Sequence, residues 1–123
     1  MIGNSKIMAF AATNNPEKAK SFYEHVLGLK LLKDDVYAIV FDANGIMLRI
    51  QKAANFNPEK FTVLGWEVSS IEETMDDLAS KGVVFNKYDG LGQDEKGIWT
   101  THDGSRIAWF NDPDGNVLSL TQF

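Results

Sequence analysis

At 123 residues the chain fits one domain or a tight pair of half-domains, and its 44 % apolar content is enough for a sound core without staples. Twelve Lys and Arg stand against 17 Asp and Glu, a net charge of −5 without any clustered basic face, which argues against a nucleic-acid partner. Cysteine is absent, so disulfides, thiolate metal sites and thiol catalysis are excluded together.

Met1–Thr13 carries one Lys and an apolar stretch too short for a secretory signal or a bilayer span, so the expectation is a cytoplasmic protein without a membrane partner. Ile7–Ala12 reads as a buried strand. Asn15-Pro16-Glu17 opens a helix, with Asn15 as cap and Pro16 in the first helical position. Ala19, Phe22, Tyr23, Val26 and Leu27 form its apolar face, and Gly28 ends it in the left-handed conformation. Three strand-like segments come next, Leu29–Lys33, Val36–Asp42 and Ile46–Lys52, the last two joined by Ala43-Asn44-Gly45. Residues 54–60 read as a polar linker between a first module, 6–53, and a second, 61–123.

The plan then repeats. Phe61–Val68 is a strand, and Ser70-Ile71-Glu72-Glu73 is a capping box, with Ser70 the cap and Glu73 reaching back. Ile71, Met75, Leu78 and Ala79 share a helical face that Gly82 terminates. Val83–Asn86, Ile98–Thr101, Arg106–Asn111 and Asn116–Gln122 read as strands, and the Gly-rich stretch 88–97 as a loop, either a lid beside Trp99 or a flexible surface segment. The residues repeat as well: Asn44-Gly45-Ile46-Met47-Leu48 parallels Asp114-Gly115-Asn116-Val117-Leu118.

Phe22-Tyr23 with Leu27-Gly28-Leu29 early, and Asp112-Pro113-Asp114-Gly115-Asn116 late, resemble the vicinal-oxygen-chelate superfamily of glyoxalases, bleomycin-resistance proteins and extradiol dioxygenases. The resemblance covers nearly the whole chain. It implies an α+β fold of two βαβββ modules whose eight strands curl into a cup with helices outside, and for short members a homodimer. Enzymatic relatives hold a divalent metal with His and Glu on the cup floor, where the cation polarises a pair of substrate oxygens. Spacing from Phe22, Gly45, Val68 and Gly115 puts those four positions at Met8, Arg49, Val63 and Ser119, none of them a usual ligand, and Arg49 sets a fixed positive charge where the cation belongs. The two histidines offer no replacement: His25 is expected to face solvent from the helix, and His102 to lie in a hairpin turn. Neither a metal nor another cofactor is expected.

Strand alternation assigns Met8, Phe10 and Ala12 to the cup, with Met47, Arg49 and Gln51, then Val63, Gly65 and Glu67, and finally Val117, Ser119 and Thr121. Apolar walls with a few polar groups are the makeup of a small-molecule site. Arg49 suits a carboxylate, a phosphate or vicinal oxygens of a ligand, and Glu67 suits a base; equally, the two charges satisfy each other in a polar interior. Trp99 and Trp109 offer stacking walls or serve as core, whereas Trp66 is expected under the helix. The leading expectation is a metal-free binder of a small organic ligand, built like the bleomycin-resistance proteins. The alternatives are a metal-independent isomerase or lyase using Glu67 and Arg49, and a vestigial module serving only as a dimerisation or regulatory partner.

Overall fold

A computed structural model describes all residues, 1–123. The chain forms two compact units, Met1–Pro58 and Glu59–Phe123. Each carries one four-stranded sheet, giving an α+β fold.

In the first unit a short 3₁₀ turn at Ile2–Asn4 precedes β1 (Met8–Thr13), and β2 (Lys30–Asp34), β3 (Ala38–Ala43) and β4 (Ile46–Lys52) complete a sheet in the order β1-β4-β3-β2. β1 runs parallel to β4 and the other neighbours are antiparallel. Between β1 and β2 lies α1 (Pro16–Ser21), capped by the Asn15 side chain, which accepts from the Lys18 amide at 3.4 Å. The periodicity of the sequence anticipates one regular helix here, but Phe22–Val26 winds as a π-turn, in which the Leu27 amide donates to the Phe22 carbonyl at 3.0 Å. The consecutive aromatics Phe22 and Tyr23 are both buried, packed edge to face at 5.3 Å, and Tyr23 lies 5.9 Å from Phe41 of β3. Regular α-helical neighbours diverge by about 100°, so the wider turn helps two adjacent rings reach one core. Gly28 comes next with φ +74°, the left-handed stop its type implies.

The second unit repeats the topology. β5 (Thr62–Glu67), α2 (Ile71–Ser80), β6 (Trp99–Thr100), β7 (Arg106–Asn111) and β8 (Val117–Gln122) give a sheet ordered β5-β8-β7-β6, again with its first pair parallel. α2 packs on β7 and β8 through Ile71, Met75 and Leu78. Ser70 caps it by accepting from the Glu73 amide at 3.3 Å, but the Glu73 carboxylate does not accept from the Ser70 amide in return; instead the Thr74 hydroxyl donates to the Ser70 carbonyl at 2.8 Å. Val83–Asn86 is not a strand: only Phe85 bridges to Phe110, because beyond that point the chain turns into the 88–97 loop instead of running along β7.

The Asp112–Asn116 turn is a buried polar knot. One Asp112 carboxylate oxygen accepts from the Asp114 and Asn116 amides, both at 2.9 Å, and the other from the Asn116 side chain at 2.7 Å. Gly115, at φ +94°, closes the turn. This knot sets the start of β8 and therefore the register of every residue after it.

Candidate functional site

Ladder pairing fixes which side chains share a face. In the first unit Met8 lies opposite Met47, Phe10 opposite Arg49 and Ala12 opposite Gln51, so the six residues that alternation groups together do share one face. Met8, Phe10 and Met47 are exposed, Arg49 is half-buried, and no carboxylate of its own unit pairs with Arg49. The opposite face holds Ile39, Phe41, Leu48 and Ile50, all buried.

In the second unit three rows cross the sheet. Glu67, Thr121, Ile107 and Trp99 form one; Gly65, Ser119 and Trp109 the next; Thr62, Val117 and Asn111 the third. The third row corrects the alternation reading. A β-bulge between Thr62 and Leu64 makes Val63 the extra residue, and Thr62 takes the place beside Trp109, accepting from the indole Nε1 at 3.1 Å. Gly65 is a close-approach position: a Cβ there would lie 2.7 Å from the Ser119 hydroxyl oxygen. Trp66 lies opposite Leu120, next to Ala108, on the core side of the sheet, as expected.

Trp99 and Trp109 stack with centroids 6.1 Å apart and planes 29° from parallel, and Tyr88 meets Trp109 edge to face at 5.7 Å. Together with Val117 they floor a cavity of about 500 Å³, flanked by Lys60–Thr62 on one side and by 88–91 of the loop on the other. This volume lies within the range of small-ligand pockets. Thr121 lines a different hollow of about 510 Å³, shared with Ile107, Phe123 and the 101–105 turn that carries His102. In that turn Asp103 accepts from the Thr101 hydroxyl and the Ser105 amide, and these bonds hold its carboxyl down at about 2. His25 and His102 are exposed, and so is Glu67 at the end of β5.

The sequence-derived site residues therefore fall into separate groups. Trp99 and Trp109 meet in the aromatic cavity. Ser119 is buried between Gly65 and Trp109, while Thr121 belongs to the neighbouring hollow. Met8, Phe10, Arg49 and Gln51 sit on the first unit's own face. Sequence reasoning missed Thr62, Tyr88 and Leu91. The available signal was apolar residues set among the loop glycines, Tyr88 and Leu91 around Gly90, where a purely solvated loop would be polar.

None of the four residues that spacing assigns to the family's metal positions has side-chain chemistry suited to a divalent cation, and the bulge takes Val63 out of the regular alternation with Gly65 and Glu67. Met8 offers a thioether, Arg49 a guanidinium, Val63 an alkyl group and Ser119 a hydroxyl. No three His, Asp or Glu side chains converge on a common point elsewhere in the chain.

These features define a class, and the comparison with known proteins agrees with it. The chain belongs to the Glyoxalase/Bleomycin resistance protein/Dioxygenase superfamily, whose sequence profile matches residues 7–120. Its fold is similar to that of an integron cassette protein from the mobile metagenome of a Halifax Harbour sewage outfall, with 24 % identity, 98 % of this chain and 99 % of that one covered, and a TM-score of 0.73. It is also similar to a glyoxalase/bleomycin resistance protein/dioxygenase from Alicyclobacillus acidocaldarius, at 16 % identity, 98 % and 92 % coverage and a TM-score of 0.76. A lactoylglutathione lyase from Agrobacterium tumefaciens shows 16 % identity, 96 % and 93 % coverage and a TM-score of 0.74. At these identities the likeness establishes the fold alone. No curated protein matches the sequence. No helix is long and apolar enough to cross a membrane.

Proposed function

We propose that this superfamily member binds a flat small organic molecule against the Trp99–Trp109 wall of its second unit, without a resident divalent metal, in the manner of the non-catalytic bleomycin-resistance proteins. The observation that carries the reading is the stacked indole pair lining a cavity of about 500 Å³, with its edge fixed by the bond from Trp109 to Thr62. Aromatic walls bind planar groups by stacking, and a wall whose rings are already oriented loses less side-chain entropy when the ligand arrives. The Met, Arg, Val and Ser that spacing assigns to the family's metal positions support the metal-independent part of the reading. Arg49 is proposed as a separate anion-binding group on the first unit's own face, and the protein is proposed to work as a cytoplasmic homodimer.

No observation favours the enzymatic alternative. Glu67 is exposed, which is not the desolvated setting from which a carboxylate base works. A thermal-shift screen of aromatic metabolites in chelator, followed by calorimetry on wild type and Trp109→Ala, tests the reading. We expect a ligand that raises the melting temperature without added metal and loses its affinity in the variant. Binding that requires a divalent ion, or that ignores the variant, rejects it.

A further inference from the structure

The loop that borders the aromatic cavity is Gly-rich, yet its hydrogen bonding is not that of a free loop. One side chain accounts for much of this. The Gln93 oxygen accepts from the Tyr88 amide at 2.6 Å, and its nitrogen donates to the carbonyls of Asn86 at 3.0 Å and Gly97 at 2.8 Å. Both amide protons and the oxygen are thereby used, and the partners fix the orientation of the group: one is a donor and two are acceptors, so a flipped carboxamide would lose all three bonds. The bonds join the first and last residues of the loop across its neck. Gly97 suits this neck because its φ of +98° is one that other residues rarely adopt. Two further ties complete the loop. The Asp94 carboxylate accepts from the Lys96 amide at 3.0 Å and the Ile98 amide at 2.9 Å, and the Lys96 ammonium reaches Asp76 of α2 at 2.7 Å.

We infer that the Gln93 carboxamide is a clasp that holds the 86–97 loop shut and fixes the Tyr88 ring against Trp109, and so sets the outer wall of the cavity before any ligand arrives. Gln93 does not line the cavity. It is a positioning residue, and its consequence for binding rests on the proposal that the cavity is the ligand site. Of the common side chains near this size, only Gln offers one acceptor and two donors in this geometry. Glu has the same shape but faces the two carbonyls with a negative charge.

The test uses the full chain as wild type, Gln93→Ala, Gln93→Glu and Trp109→Ala. Amide hydrogen exchange and near-ultraviolet circular dichroism read the clasp directly. In Gln93→Ala the Tyr88 amide should exchange about tenfold faster or more, as expected when a protecting bond is lost, while Ala108, Leu118 and Leu120 keep wild-type protection. The aromatic dichroism should weaken. Gln93→Glu at neutral pH should be at least as disruptive as Ala, a result that mere filling of space would not produce. Anilinonaphthalene sulfonate, a probe with a flat naphthalene ring, should bind wild type, lose affinity in Trp109→Ala, and bind about tenfold more weakly in Gln93→Ala, equivalent to ~1.4 kcal/mol. Unchanged exchange in Gln93→Ala, or wild-type behaviour of Gln93→Glu, overturns the clasp. Faster exchange with unchanged probe affinity, while Trp109→Ala still loses the probe, overturns its role in binding. A probe that ignores Trp109→Ala instead rejects the cavity as ligand site, and the exchange and dichroism results still decide the clasp.

Discussion

The two units share a topology and differ in the segment that leaves the helix. In the first unit β2 begins at Lys30, directly after the Gly28 stop, and the strand is a full sheet member. In the second unit the chain leaves α2 at Ser80 and does not enter β6 until Trp99; β6 is reduced to Trp99–Thr100, and the intervening loop walls the aromatic cavity. The duplicated plan supplies two scaffolds, and the cavity arises where the second departs from the first. The open faces diverge in the same sense: Met8, Phe10 and Met47 stand beside Arg49 in one, a stacked indole pair beside Thr62 in the other.

The equivalent turn aspartates sharpen this comparison and give the largest expected effect. Asp42 accepts from the Gly45 amide at 2.7 Å and is half-buried, whereas Asp112 is buried and anchors two amides and the Asn116 side chain. Asp112→Ala should cost about 2–4 kcal/mol in urea denaturation, since it strands buried donors, and Asp42→Ala less than about 1 kcal/mol. Equal losses would mean that the two turns are energetically alike.

Binding should separate the units next. Trp109→Ala should weaken a flat ligand by at least about tenfold, as loss of a central aromatic anchor does. Arg49→Gln should weaken only anionic ligands, and by less, and Glu67→Gln should leave affinity within about twofold, because Glu67 does not line the aromatic cavity. An Arg49 effect exceeding that of Trp109 in calorimetry would move the site to the first unit.

A smaller effect tests the close approach of β5 to β8. Gly65→Ala should destabilise by about 1 kcal/mol through the Ser119 hydroxyl, and Ser119→Gly should recover most of that loss in a double-mutant cycle. The equivalent place in the first unit holds Phe10 opposite Arg49, where there is no such demand for a small residue.

The smallest effect is with pH, and both units show it. Backbone amides of Tyr37 and Ala38, with Lys33, hold the Asp35 carboxyl at about 2, as the Thr101 hydroxyl and Ser105 amide do for Asp103, against a usual 3.8. A lowered folded-state value means that the stabilisation is complete above about 3.8 and is lost as the pH falls from there toward 2. Both turns are exposed, so the loss is small, and Asp35→Asn should remove only the first unit's share of it in acid titrations of stability.

Much of the fold was legible because it is written locally. The Asn15, Gly28 and Ser70 caps, the Gly45 and Gly115 turns and the unbroken alternation of β1 and β4 each act through near neighbours, and each formed as read. The failures are non-local. Thr62-Val63-Leu64 reads as a regular strand, and its bulge exists only relative to β8. Val83–Asn86 has strand composition, but pairing depends on where β7 lies. The π-turn keeps the same apolar spacing as a regular helix. The cavity was half legible: the two Trp stand out in the sequence, but Tyr88, Thr62 and the Gln93 clasp depend on contacts that composition does not encode, and glycine content made an ordered loop look free.

The indole resonances offer the most direct test, because one of the three Trp side chains is a built-in control. In nitrogen-15 spectra recorded with chelator present, adding a bound aromatic ligand should shift the Nε1–H signals of Trp99 and Trp109 and leave that of Trp66, on the core side of β5, in place. Shifts that appear only when a divalent metal is supplied, or that spare Trp99 and Trp109 while binding occurs, would contradict a metal-independent site on the second unit's aromatic wall.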